Sequence, residues 1–137
     1  MSNPRAFVGF DFEHDERWRN LFVGQARTDS PTPFAVDDWS SRVDLPQAVW
    51  QEIIRQRISQ TNMCIVLSGR HMASAGGVAL EIAMARELDV PSFGVYVDGA
   101  GVSSPLPFGL PRKRVIAWNW NAIGAAVTQM MGEGKNA

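Results

Sequence analysis

Little in these 137 residues points to a covalent or metal framework. There is one cysteine, Cys64, so no disulfide can form within the chain and no thiolate cluster can hold a metal. Cys64 stands inside an apolar run, where a thiol serves as a small hydrophobe. The two histidines, His14 and His71, are far apart in sequence and form no H-x-x-x-H pair, so zinc-ligand spacing is missing. The loop acids Asp11, Glu13, Asp15, Asp37 and Asp38 do not have the ligand pattern of a cation loop, and no metal is expected. No apolar run approaches the length of a membrane span. The start, M-S-N-P-R, has no apolar stretch of the kind a secretory leader needs, which predicts a cytoplasmic protein. Neither charge sign dominates: 13 basic residues face 14 acidic ones, for a net charge of -1. Without a basic excess, nucleic acid and anionic membranes are not expected partners. The one basic cluster, Arg112-Lys113-Arg114, reads as a solvated loop before a strand. There is no G-x-G-x-x-G and no Walker lysine. A phosphoacceptor site is also disfavoured, because the third apolar run ends in Leu67-Ser68 rather than in an aspartate.

What the chain does have is alternation. Ala6 to Phe10 is a short apolar strand, followed by an acidic loop, Asp11 to Asp15. Trp18, Leu21 and Phe22 recur at helical spacing, which predicts a helix over 16–26 with Asp15 as its N-cap. Phe34 to Val36 is a very short edge strand behind Pro33. A polar loop follows from Asp37 to Leu45. Pro46 opens an amphipathic helix whose apolar stripe is Val49, Trp50, Ile53, Ile54 and Ile58. A strand over 62–67, a turn over 68–73, a helix over 74–88 and a strand over 92–97 then form a βαβ unit. A Gly/Pro/Ser loop over 98–111, a strand over 114–118, a helix over 121–131 and a frayed tail over 132–137 complete a single domain, 1–137. Apolar strands alternating with helices predict an α/β, flavodoxin-like three-layer fold. Its five-stranded parallel sheet takes the order 2-1-3-4-5, with helices on both faces. Ligands bind such sheets beyond the carboxyl ends, at the switch point between the first and third strands. The loops 11–15 and 68–77 lie there.

One residue stands out. Glu81 is an acid in the middle of S-A-G-G-V-A-L-E-I-A-M-A-R-E-L (74–88), with Gly77, Val78, Ala85 and Leu88 as its same-face neighbours. A carboxylate in apolar company is costly unless it is paired or used. It could pair with Arg86 or reach solvent. It could also stabilise the oxocarbenium-like state formed when an N-glycosidic bond breaks, act as a nucleophile, or hold ribose hydroxyls. Gly76-Gly77 either permits a tight turn or lets a phosphate or ribose approach the backbone.

Three segments carry a resemblance: A-F-V-G-F-D-F-E-H-D-E-R-W-R (6–19), P-F-A-V-D-D-W-S (33–40) and C-I-V-L-S-G-R-H-M-A-S-A-G-G-V-A-L-E-I-A-M-A (64–85). Together they resemble the TIR-like domains, above all the bacterial branch that includes the Thoeris antiphage signalling proteins. The resemblance implies cleavage of NAD+ at its nicotinamide–ribose bond, by hydrolysis or by cyclisation to an ADP-ribose signal. NAD+ would be the substrate, with no cofactor. Glu81, seven residues after Ser74, matches the family's catalytic glutamate. Phe10, Asp11 and Asp15, and Asp37, Asp38 and Trp39 with Ser40, match the loops that frame the nucleotide; Ser74 and Gly77 complete the site. Gly9 stands where the family often has serine and Gly77 where it often has tryptophan, and both changes widen the pocket or weaken its grip. The segment 76–91 is also similar to nucleoside deoxyribosyltransferases, which attack deoxyribose with a glutamate. The implied partners are a small nucleotide, further copies of the chain, and a downstream effector that senses the product. Two alternatives stay open: a non-enzymatic interaction module assembling through patches around Trp39 and the 98–111 loop, and a deoxyribosyltransferase-like enzyme.

Overall fold

The computed structural model describes residues 4–32, 34–37 and 46–134. The order is β1 (Arg5–Gly9), α1 (Glu16–Thr28), β2 (Ala35–Asp37), α2 (Gln47–Ser59), β3 (Met63–Ser68), α3 (Gly76–Glu87), β4 (Ser92–Tyr96), β5 (Val115–Ile116) and α4 (Trp120–Glu133). All strand pairings are parallel, and the sheet runs β2-β1-β3-β4-β5. The expected α/β three-layer architecture is therefore the observed one. β3 lies at its centre and every one of its residues is buried, which is why its sequence is a continuous apolar run rather than an alternating one.

Alternate residues of each strand feed two cores. Ala6, Val8, Ile65, Leu67 and Val95 meet Phe22 of α1 and Ile123 and Val127 of α4 on one face. Phe7, Cys64 and Val66 meet Ile54 and Ile58 of α2 and Val78, Ile82 and Ala85 of α3 on the other. Thus α1 and α4 cover one face and α2 and α3 the other, with the switch point between β1 and β3.

Several boundaries shift for physical reasons. Asp15 occupies the N-cap position of α1 but its side chain makes no capping bond; it turns inward instead. Leu21, expected in the core stripe of α1, is 45% exposed, and Val49 of α2 is 46% exposed. In both helices the apolar arc is narrower than the pattern of apolar residues. The helix expected over 74–88 starts as a 3-10 turn, Met72–Ser74, with α3 proper beginning at Gly76. α3 ends where Asp89 takes a left-handed φ of 60°, letting the Val90 N–H reach Ala85 O at 2.8 Å. The last strand is only two residues long. Beyond it, Trp118 and Trp120 both donate their indole N–H to Gln25 Oε1, drawing the chain over α1. α4 continues through Glu133, past the expected helix end at 131, and the last residues of the tail, 135–137, lie outside the described residues.

The basic cluster does more than meet solvent. Arg112 donates to Ser104 O, Gly101 O and the Tyr96 hydroxyl, tying down the 98–111 loop. Arg114 donates to Ser92 O and pairs with Glu133 at 3.0 Å. Among the described residues no helix is long and apolar enough to cross a membrane.

Candidate functional site

At the carboxyl ends of β1 and β3 the chain leaves the sheet by two loops. The β1–α1 loop supplies Phe10, Asp11, Phe12 and Glu13. The opposite wall is Ser74, Ala75, Gly76, Gly77 and Val78, at the start of α3. Between them lies an open cavity of about 300 Å³, at the lower end of the usual range for small-molecule sites. Four of the candidate site residues, Phe10, Asp11, Ser74 and Gly77, are thereby brought together. The first turn of α3 carries no side-chain cap, so its backbone N–H groups are not claimed by a side chain of the Ala75 N-cap position.

Glu81 lies one helical turn beyond this wall, at i+4 from Gly77. It is only 2% exposed, so it does not reach solvent. Nor does Arg86 turn back to it, since that guanidinium donates to Gly109 O at 2.9 Å. The carboxylate instead packs against the sheet at the switch point. A Cβ placed on Gly9 would stand 3.3 Å from Glu81 Oε1. Of the two effects expected of Gly9, a wider pocket is not what results: Glu81 packs into the space left by the missing side chain. Its charge also reaches Cys64 on β3. Burial pushes the Cys64 thiol well above its usual range, and the nearby Glu81 carboxylate adds to the rise. Cys64 is thus an inert, neutral packing group.

Asp11 is buried too, at 8% exposure, and both its oxygens serve the loop itself. Oδ1 accepts from the Glu13 N–H at 3.1 Å and Oδ2 bonds His14 Nδ1 at 2.7 Å. The His14 pKa is raised from its ordinary value, first by that hydrogen bond and further by the charges of Asp11, Glu13 and Asp15, against some desolvation. Asp15 does not line the cavity. It is fully buried, and among the described residues neither of its oxygens accepts a hydrogen bond. Burial above all, then Asp11 and Asp98, push its carboxyl up to about 6, although His71 and His14 pull the other way.

Asp37 ends β2, with its backbone beside Phe7 of β1; Asp38, Trp39 and Ser40 lie outside the described residues. Among the described residues no cluster of histidine, cysteine and acids is arranged to hold a metal ion.

Sequence reasoning missed His14, His71 and Gly69. The two imidazoles stack with centroids 3.9 Å apart, joining the loops after β1 and β3 across 57 residues of sequence. Gly69 leaves room for the Asp15 carboxyl; a Cβ there would fall 2.7 Å from Asp15 Oδ1. A histidine three residues after an aspartate is a weak local signal, and nothing local pairs His14 with His71.

Comparison with family models and with curated proteins finds no match. Among solved structures, the chain is similar to the SEFIR domain of IL-17 receptor B. The TM-score is 0.59 at 12% identity, and the match covers 97% of this chain and 98% of that domain. It is also similar to the TIR domains of the activated Roq1 resistosome that recognises the pathogen effector XopQ. There the TM-score is 0.48 at 13% identity, covering 72% of this chain and 60% of the other. At such identities the first likeness speaks to the fold and not to the chemistry: the chain has a TIR/SEFIR-type fold, a five-stranded parallel sheet in the order 2-1-3-4-5 with helices on both faces.

Proposed function

We propose that this TIR-like domain processes NAD+, breaking the nicotinamide–ribose bond at the cleft between the β1–α1 loop and the start of α3. The observation that carries the proposal is the Glu81 carboxylate, held 2% exposed at the switch point beneath that cleft. A dry carboxylate in apolar company acts on a developing oxocarbenium ion more strongly than one in water, because less solvent screens it. The charges of the cleft fit the two ends of such a substrate. Asp11 and Glu13 on one wall favour the cationic nicotinamide ring. The uncapped first turn of α3 on the other wall favours phosphate oxygens. Nicotinamide leaves as a neutral group, so no general acid is required. Water then attacks the ribose to give ADP-ribose, or an adenine nitrogen attacks to give a cyclic product. For Glu81 to touch the ribose, the substrate must enter past Gly77, which lines the cleft. Antiphage signalling, in which the product is sensed by an effector, and a cytoplasmic setting follow from the sequence resemblance and are part of this proposal.

The test is nicotinamide release from NAD+ by the purified protein, dilute and self-associated, beside Glu81→Gln. Release by the native chain and not by the variant supports the reading. No release from either form, including in extract from phage-infected cells, overturns it.

A second reading has its own support. The burial of Glu81, and the exposure of Phe108 (86%) and Val102 (75%) on the 98–111 loop, suit an interaction module without turnover. The structural likeness to a receptor's SEFIR domain is consistent with a signalling role. Loss of self-association in Phe108→Ser, with Glu81→Gln silent in every assay, favours this reading. Cleavage of deoxynucleosides in place of NAD+ marks the deoxyribosyltransferase-like alternative.

A further inference from the structure

The walls of the cleft are joined by a cluster of which the proposed chemistry uses only Asp11. The β1–α1 loop contributes Asp11, His14 and Asp15. The β3–α3 loop contributes Gly69 and His71. Asp98, after β4, faces the cluster and is held by Arg70 at 3.1 Å. Asp15 is the centre. Its backbone starts α1, with its carbonyl accepting from Trp18 and Arg19 N–H groups, so its position is fixed by the helix. Its carboxyl enters the space left by Gly69 and is sealed there, 0% exposed, without a hydrogen bond among the described residues. A neutral carboxyl tolerates such a seat far better than a carboxylate does. Above it, the stacked His14 and His71 rings close the same joint.

We propose that Asp15, seated under Gly69, is the proton-sensitive pin of a clamp that ties the β1–α1 loop to the β3–α3 loop and sets the width of the cleft between them. With its proton, the carboxyl stays in its seat. Without it, the buried charge faces Asp11 and Asp98 and is compensated only by whatever positive charge His14 and His71 carry. His14 works in the same direction. Its cation is held by Asp11, with Glu13 adding to the attraction, and that hold is lost when the ring deprotonates. The signs agree. Both groups have folded pKa values raised above their unfolded ones, so both favour the folded arrangement at low pH, Asp15 at the joint itself and His14 by holding the β1–α1 loop in shape. Both contributions are lost as pH rises, through about 6 for Asp15 and above the ordinary histidine value for His14. The clamp closes in mild acid and loosens toward alkaline pH. It concerns the shape of the cleft and holds whether or not NAD+ is turned over there.

The test is an NMR titration of the free protein from pH 4.5 to 8.5. It follows the side-chain carboxyl carbon of Asp15 and the backbone amides of residues 11–15 and 69–75. The expected result is one midpoint near 6 shared by Asp15 and the amides of both loops, with sheet amides unmoved. Asp15→Asn, which cannot lose the proton, abolishes that shared step; Gly69→Ala, which expels the carboxyl, returns the Asp15 midpoint toward 4. An Asp15 carboxyl that titrates below pH 5 in the native chain overturns the proposal, as does a 69–75 loop that ignores the Asp15 step. The native titration decides even where a variant fails to fold.

Discussion

The two ends of the sheet differ in how deeply they bury their acids. At the amino ends of the strands, charged groups are partnered and partly wet. Arg114 holds Glu133 at 3.0 Å and Ser92 O, Arg86 holds Gly109 O, and Arg55 holds Glu87 at 2.7 Å. At the carboxyl ends, Asp15 and the hydroxyl of Ser68 are buried without hydrogen bonds among the described residues, and Glu81 is 2% exposed. Surface pairs like those at the first end stabilise a fold slightly and cost little. A buried carboxyl without a hydrogen bond, as at Asp15, costs the fold more, and perturbed groups of that kind gather where a protein acts. The contrast is the physical ground, apart from any resemblance, on which the proposed site is put at the carboxyl ends.

The comparison can be broken at its strongest point first. Glu81→Gln keeps the shape of the side chain and removes its charge. If the carboxylate serves the reaction, nicotinamide release falls at least about 100-fold, equivalent to about 2.7 kcal/mol of barrier; an unchanged rate would remove the carboxyl end's claim to chemistry. Gly69→Ala comes next. Its Cβ must displace the Asp15 carboxyl, and the expected loss is about 1–3 kcal/mol in urea unfolding. A neutral outcome would mean that Asp15 is loosely held. Gly9→Ala presses on Glu81 Oε1 from 3.3 Å, and about 1 kcal/mol is expected because a side-chain end can give by a few tenths of an ångström.

The smallest effects concern pH, and they sharpen the contrast because the two ends respond oppositely. Asp15 and His14, both raised, make the carboxyl end lose stability as pH rises, from about 4 to about 6 for Asp15 and above the ordinary histidine value for His14. Glu133 is lowered, first by its hydrogen bond from Arg114 and then by that from Gln129. Its contribution is present above its ordinary value of 4.5 and is lost as pH falls through the depressed one. Melting temperature followed against pH is expected to peak near pH 4, where the two limbs cross. Asp15→Asn flattens the alkaline limb. Glu133→Gln flattens the acid limb by no more than about 0.5 kcal/mol, because the pair is partly exposed and screened. If one variant alters both limbs, the two ends are coupled and the comparison fails.

Much of the architecture could be read from the chain itself. Continuous apolar runs at Ala6 to Phe10 and Asn62 to Leu67, separated by helical periodicity, imply a parallel sheet covered on both faces, since only burial on two sides removes the alternation. The strand order and the switch point followed, and with them the meeting of Phe10, Asp11, Ser74 and Gly77 at one cleft. Glu81 was conspicuous because a lone acid among small apolar residues breaks the pattern of its helix.

What tertiary structure alone decided is which side chains fill which gaps. Local pattern made Asp15 a helix cap, because an aspartate before a helix normally bonds the first N–H groups; the gap at Gly69, 54 positions away, draws its carboxyl inward instead. Gly9 could be seen only as a missing side chain until Glu81, 72 positions later, was found occupying the space. His14 and His71 meet because β1 and β3 are neighbours in the sheet, a pairing that no spacing encodes. Periodicity and composition act over a few residues and so determine elements and their faces. Burial, stacking and the pKa of a carboxylate depend on neighbours distant in sequence, and those are chosen only when the elements pack.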